Sequence, residues 1–169
     1  MPRVDRMLAW VEGLSSAFGA LASWLTTLLV LVVGFDVATR YLFDFSWVAV
    51  QEAQWHLFAA IFLLGAAYTL QRDRHVRVDV LYSTFEPRTR AAIDLIGLVL
   101  FLVPFCLLGA KLGWEYATAS FSIGEGSPQP GGLPARWALK AVVPLAFTLL
   151  LLEGIVKAAA SWRTLRRPR

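Results

Sequence analysis

The sequence predicts an all-α integral membrane protein with four transmembrane helices, short interfacial amphipathic helices and both termini in the cytoplasm. Of its 169 residues, 57% are hydrophobic and 17% are charged, and the mean hydropathy is +0.59. A soluble domain is typically about 45 to 50% apolar and about 25% charged, so both fractions depart toward a membrane protein. A soluble globular enzyme is therefore excluded as the default class.

The length predicts a single membrane domain, 1–169. Many secondary transporters use about a dozen spans arranged as paired structural repeats to build a substrate site at the membrane midplane. A chain of 169 residues has no room for such an arrangement. We therefore expect a subunit of a membrane complex rather than a complete carrier.

Four long stretches with few or no charges predict the spans. The first, Gly13 to Phe35, holds 23 residues without a charge, about 34 Å as a helix against a hydrocarbon core of about 30 Å. The third begins near Pro87, a residue suited to a first helical turn, and a kink is expected at Pro104. The predicted spans are about 14–37, 50–71, 88–118 and 137–160.

The distribution of positive charge predicts the orientation. With four spans, twelve of the sixteen Lys and Arg residues fall on the side that holds both termini and the loop between spans two and three. The other side carries Arg40, Lys111, Arg136 and Lys140. An excess of Lys and Arg marks the cytoplasmic side. We therefore expect a multi-pass membrane protein with cytoplasmic termini and contacts with membrane lipids, and no nucleic-acid partner.

Three segments outside the spans have distinct patterns. Apolar residues at helical spacing before the first span, from Val4 to Leu14, predict an amphipathic lead-in on the cytoplasmic surface. The alternating segment from Val76 to Leu81 is interpreted as a short interfacial segment, with a solvated loop as the alternative. The outer loop, Ser120 to Ala135, is dense in Gly and Pro, which predicts defined turns, with a flexible linker as the alternative.

Residues with catalytic or ligand-binding chemistry are scarce, and we expect no catalytic residue, no cofactor and no metal site. The single cysteine, Cys106, excludes an internal disulfide and a cysteine zinc site. His56 and His75 would lie about 28 Å apart on one continuous helix, too far to clasp one haem. Two alternative functions remain open. One is a membrane anchor of a respiratory enzyme with either histidine as a haem ligand, and the other is a small self-contained exporter.

Oppositely charged residues four positions apart suggest local pairs on the helices, because such side chains share a helix face. The expected charge pairs are Asp36 with Arg40, Lys111 with Glu115, and Glu153 with Lys157, and Glu52 and His56 have the same spacing and are also expected to pair. Glu52, Glu153 and Asp94 all fall near the ends of the predicted spans. A proton or substrate path would need one near the middle of a span.

Several segments in order resemble one protein family. They include Arg40-Tyr41-Leu42-Phe43 with Ser46-Trp47 and Glu52, then Phe62 to Ala67, then Arg72 with His75 to Leu81. Gly124-Glu125-Gly126-Ser127, Pro130 to Pro134, Lys140 and Pro144 follow. Together they resemble the small membrane subunit of tripartite ATP-independent periplasmic (TRAP) transporters, from the first span to Leu165.

The resemblance implies a mechanism and a set of residues. In this family a periplasmic substrate-binding protein delivers a solute, commonly an organic acid, to a membrane complex of the small subunit and a large multi-span permease subunit. The large subunit carries the sodium and substrate sites, and the small one is a non-catalytic scaffold. The resemblance implies subunit or lipid contacts at Arg40, Trp47, Glu52, His75 and Asp79, and a periplasmic surface at Glu125 and Ser127.

Overall fold

The computed structural model describes residues 3–73, 82 and 84–166, and every regular element in this part of the chain is a helix. The four long helices are α1 (Arg3–Phe43), α2 (Val48–Gln71), α3 (Pro87–Ser122) and α4 (Trp137–Arg166). Each is long and apolar enough to cross a membrane. The prediction of an all-α fold is confirmed for the described residues, and the four predicted spans correspond to four helices that are long and apolar enough to cross a membrane.

The helices end or begin at residues whose backbone conformation departs from the helix or suits its first turn. Asp44, directly after α1, has a positive φ of 50°, and Trp47 is extended just before α2, so the chain reverses within four residues. Asp73, after α2, also has a positive φ, of 53°. Pro87 opens α3, as predicted, because its missing N–H costs nothing in the first turn of a helix.

A π-helical turn interrupts α3. The α-helical part Pro87–Gly97 is followed by the π-helical segment Leu98–Leu102 and then by the second α-helical part, Val103–Ser122. Pro104 has no N–H to donate to the carbonyl one turn earlier, so the regular α-helical hydrogen bonding is broken there. The kink expected at Pro104 stays a prediction, and the π-helical segment Leu98–Leu102 just before it was not predicted from the sequence.

The last helix, α4, is the centre of the packing. α1 packs against α2, α2 packs against α4, and α3 packs chiefly against α4 among the described residues. Leu149, Leu150 and Val156 of α4 are buried accordingly. The arrangement leaves α1 and α3 with large exposed apolar surfaces, as expected for helices that face lipid or another membrane protein.

Glycines allow two of these helix pairs to approach closely. The ring of Tyr68 in α2 lies where a Cβ on Gly19 would be, at 2.4 Å, and the ring of Phe147 in α4 lies 2.7 Å from the Cβ position of Gly109. Lipid provides no hydrophobic force between helices, so membrane helices associate through close packing. Small residues allow this close approach of the backbones. Phe147 also packs against the buried cluster of Leu70, Cys106 and Leu150.

The predicted lead-in is part of α1 rather than a separate surface helix. α1 contains 41 residues, about 61 Å at 1.5 Å per residue, roughly twice the thickness of a hydrocarbon core. Residues from Arg3 onward therefore continue the first span without a break. The second predicted interfacial segment, from Val76 to Leu81, lies outside the described residues.

Candidate functional site

Polar side chains are concentrated at the two ends of the helices. We call the end that holds both termini the terminal end, and the opposite end, with the α1–α2 connection and loop 123–136, the loop end. At the loop end, Glu52 lies in the first turns of α2 with only 7% of its side chain exposed. Its position there makes it the link between α2 and the loop.

Each carboxylate oxygen of Glu52 accepts a hydrogen bond from the loop. Ser127 Oγ donates to Oε1 at 2.6 Å, and the backbone N–H of Leu133 donates to Oε2 at 2.6 Å. Arg136 completes the site with a guanidinium nitrogen 3.5 Å from Oε1, and its guanidinium carbon lies 5.5 Å from the centre of the Trp55 ring. A buried carboxylate needs such partners because burial removes its water.

The loop itself is folded into hydrogen-bonded turns, as predicted. Ser127 N–H donates to the Leu133 carbonyl at 3.0 Å, and Arg136 N–H donates to the Glu125 carbonyl at 2.9 Å. A Cβ on Gly132 would lie 2.3 Å from Ser127 Oγ and 2.7 Å from Glu52 Oε2. Only glycine fits at position 132 without displacing these groups.

Beside this link, Glu125 forms an ion pair with Lys140 of α4. Lys140 Nζ also lies 4.0 Å from the centre of the Tyr116 ring in α3, so the loop, α3 and α4 meet at this side chain. The hydrogen bond from Lys140 lowers the pKa of Glu125. Glu125 is therefore ionised at neutral pH, and the pair holds the loop against the start of α4.

A second polar group at the loop end joins α1 to the α1–α2 connection. Arg40 donates to Asp36 Oδ2 at 2.6 Å, which confirms that predicted pair, and Ser46 Oγ donates to Oδ1 at 2.8 Å. Trp47 stacks on Phe35 with 5.8 Å between ring centres. Half of the Arg40 side chain, 53%, remains exposed.

The terminal end has its own polar contacts. Ser15 Oγ in α1 donates to Oε2 of the fully buried Glu153 in α4 at 2.8 Å. Lys157 pairs with Asp73 at 2.9 Å. The expected contact of Lys157 with Glu153 is thus replaced by one with the end of α2.

The structure brings together some of the predicted residues and separates others. Glu52 and Ser127 are in direct contact, and Glu125 belongs to the same folded loop. Arg40 and Trp47 lie in the second group, near the end of α1. His75 and Asp79 fall outside the described residues. The sequence placed Glu52 at a subunit or lipid contact, whereas the structure shows it bonded within its own chain.

The sequence reasoning missed Arg136, Gly132 and Ser15 as contributors to these contacts. Arg136 could have been suspected, because it is one of only four cations predicted on its side of the membrane. The predicted side-chain pair of Glu52 and His56 does not form in this way: His56 Nδ1 lies 2.7 Å from the backbone carbonyl of Glu52. The ion pair expected between Lys111 and Glu115 stays a prediction.

The polar contacts of this arrangement join the helices and the loop to one another. Among the described residues, no group of three or more His, Cys, Asp or Glu side chains is placed to hold a metal ion. The carboxylates of Asp36, Glu52 and Glu153 each accept hydrogen bonds from the chain itself. Fold and site together define a helical, multi-span membrane protein whose polar groups fasten its own helices and loop.

Comparison with known families identifies the chain more narrowly. Residues 29–164 match the family described as tripartite ATP-independent periplasmic transporters, DctQ component. The chain belongs to this family, the small membrane subunit of TRAP transporters. No curated protein matches the chain.

Proposed function

We propose that this chain is the non-catalytic scaffold that anchors the large permease subunit of a TRAP transporter in the inner membrane. In this proposal the complex takes up an organic acid or a related small solute, driven by sodium and supplied by a periplasmic substrate-binding protein. The observation that carries it is the family match over residues 29–164. Sodium coupling is assigned to the large subunit, and we propose no cofactor for this chain.

The exposed apolar surface supports a scaffold. Trp24 in α1, Phe62 in α2 and Phe101 in α3 are 74%, 71% and 73% exposed. Side chains of this size on three helices suit contact with lipid and with the helices of a partner. The buried carboxylates near the helix ends fasten the helices to one another, which suits a part that does not move during transport.

The loop end is proposed to face the periplasm and the termini the cytoplasm, following the excess of Lys and Arg at the terminal end. Under this orientation the loop of Glu125 and Ser127 lies on the side where a binding protein docks. Because both side chains bond within the chain, they would shape the docking surface rather than reach the partner. His75 and Asp79 remain proposed contacts on the cytoplasmic side.

Arg40 is the best-placed candidate for direct contact with the large subunit. Its guanidinium is half exposed at the end of α1, beside Trp47, of which 44% is exposed. We expect Arg40→Ala to lower the yield of the two-subunit complex in a mild-detergent pull-down while leaving the choice of substrate unchanged. A complex of normal yield that carried a different substrate would contradict the scaffold assignment.

Asp36→Asn is the matched control for Arg40→Ala. It weakens the ion pair inside the chain but keeps the positive charge of Arg40 available to a partner. We expect its complex yield to stay near that of the wild type. An equal loss in both variants would mean that the pair acts within the chain, and Arg40 would not be a partner contact.

The proposed function is tested by purifying the tagged chain from its native membrane and identifying the proteins that accompany it by mass. A large multi-span permease in near-equal amount is the expected result. The two subunits, reconstituted in liposomes with the binding protein and a sodium gradient, should then accumulate solute. A lone chain, or one with redox subunits and a haem absorption band, would overturn the proposal.

A further inference from the structure

The terminal parts of α1 and α4 run side by side as an antiparallel pair. Asp5 Oδ1 accepts a hydrogen bond from Arg163 at 2.5 Å, and Glu153 Oε2 accepts one from Ser15 at 2.8 Å. These contacts are ten residues apart on each helix, about 15 Å along the axis. The constant spacing means that the two helices stay paired over this whole length.

Each of these two helix ends carries an exposed arginine and an exposed tryptophan four residues apart. In α1 they are Arg6 and Trp10, and in α4 they are Trp162 and Arg166. Trp10 is 65% exposed and Trp162 is 49% exposed. Residues four apart lie on one helix face, one turn from each other. We call these two sets the terminal Arg–Trp pairs.

The order of the side chains is the same in both pairs. Although the helices run in opposite directions, the tryptophan lies nearer the middle of the protein and the arginine nearer the helix end in both. The guanidinium carbon of Arg166 lies 4.8 Å from the centre of the Trp162 ring. This order is that of a membrane surface, where tryptophan sits at the boundary of the hydrocarbon and phosphate lies beyond it.

The distances also suit a membrane surface. From the two contacts above, Arg6 is at the level of Trp162, so the two pairs are offset by about one turn, about 6 Å. A bilayer of about 40 to 45 Å with a core of about 30 Å has interfacial layers of about 5 to 8 Å each. Both arginines can therefore reach the same layer of headgroups when the helices tilt by ordinary amounts.

We propose that the terminal Arg–Trp pairs bind the phosphate groups of anionic phospholipids. Arg163 is partly neutralised by Asp5, whereas Arg6 and Arg166 project from exposed positions beside it. A guanidinium matches phosphate with two parallel hydrogen bonds. A lipid fits better than an acidic protein segment, because each tryptophan lies between the charge and the apolar span. The inference needs only this chain and stands apart from the proposed function.

The test measures how much phosphatidylglycerol the full-length chain retains after purification from nanodiscs of phosphatidylcholine and phosphatidylglycerol, using native mass spectrometry. A cation in direct reach of the headgroup phosphates contributes about 5-fold in binding, so we expect Arg6→Gln with Arg166→Gln to bind phosphatidylglycerol roughly 30-fold more weakly. Arg88→Gln with Lys111→Gln removes the same charge from exposed positions outside the pairs and should change little.

Two results would overturn the proposal. An equal loss of phosphatidylglycerol in the control would show that total charge, not this site, attracts the lipid. Unchanged retention in the Gln variant, with loss of a membrane partner in a pull-down, would assign the arginines to an acidic protein segment. If the Gln variant fails to fold, Arg6→Lys with Arg166→Lys carries the test: it keeps the charge, loses the paired hydrogen bonds and should retain an intermediate amount.

Discussion

Replacing Gly132 by alanine is expected to free loop 123–136 from α2 and expose it to proteases. The new Cβ would lie 2.3 Å from Ser127 Oγ and 2.7 Å from Glu52 Oε2, the two groups whose hydrogen bond fastens the loop. Neither can move away without giving up that bond. Overpacking of this kind typically costs about 1 to 3 kcal/mol, which is roughly 5- to 150-fold more of the open loop.

Gly126→Ala is the matched control in the same loop. A Cβ there would meet its nearest neighbour, Pro134 Cα, at 3.9 Å, which is ordinary contact. Proteinase K digestion of the purified chain, with the cleavage sites located by mass spectrometry, should show faster cleavage within 123–136 for Gly132→Ala only. Equal cleavage of the two variants would show that the contact between Glu52 and Ser127 does not hold the loop.

This loop shows what a single sequence can and cannot predict. The density of Gly and Pro predicted turns, since both residues favour them for known conformational reasons. The partner of those turns could not be predicted, because Glu52 is 75 residues from Ser127 along the chain. Helical spacing gives only neighbours three or four positions away. The sequence therefore suggested His56 as the partner of the Glu52 side chain, whereas in the structure this side chain accepts hydrogen bonds from the loop.

The same limit explains the terminal end. The pair of Asp36 and Arg40 was predictable, because both lie on one helix one turn apart, and Ser46 bonds with the other carboxylate oxygen of Asp36. Glu153 and Lys157 are also four apart, yet Glu153 bonds with Ser15, 138 residues away, and Lys157 with Asp73. Apolar residues surround these helices, so their sequence does not reveal which face meets which neighbour. Those contacts are set by packing.

The continuity of the lead-in with the first span could not be predicted from the sequence, for a related reason. Its apolar residues have helical spacing, which suits a helix lying on a membrane surface equally well as one packed against another helix. In the structure Val11 is buried, and Asp5 bonds with Arg163 of α4. Pairing with the end of α4 thus extends α1 beyond the span in place of a separate surface helix.

Replacing Gly109 by alanine is expected to push α3 away from α4 and to make Cys106 reactive. A Cβ on Gly109 would lie 2.7 Å from three atoms of the Phe147 ring, which is itself packed on Phe105 with ring centres 5.3 Å apart. The ring also packs against the buried cluster of Leu70, Cys106 and Leu150, so we expect the helices to separate rather than the ring to move aside. Cys106, one turn away on α3, is fully buried and is the only cysteine in the chain.

The rate at which a maleimide modifies Cys106 in detergent therefore reports this separation. Gly97→Ala is the control in the same helix: nothing lies within 4 Å of its Cβ position, and alanine favours helix by about 1 kcal/mol over glycine, so labelling should stay slow. Gly109→Ala should label roughly 5- to 150-fold faster, from an overpacking cost of about 1 to 3 kcal/mol. Adding Phe147→Leu, which removes the ring, should slow it again. If Gly109→Ala labelled no faster than Gly97→Ala, the close packing of α3 on α4 at Gly109 and Phe147 would be contradicted.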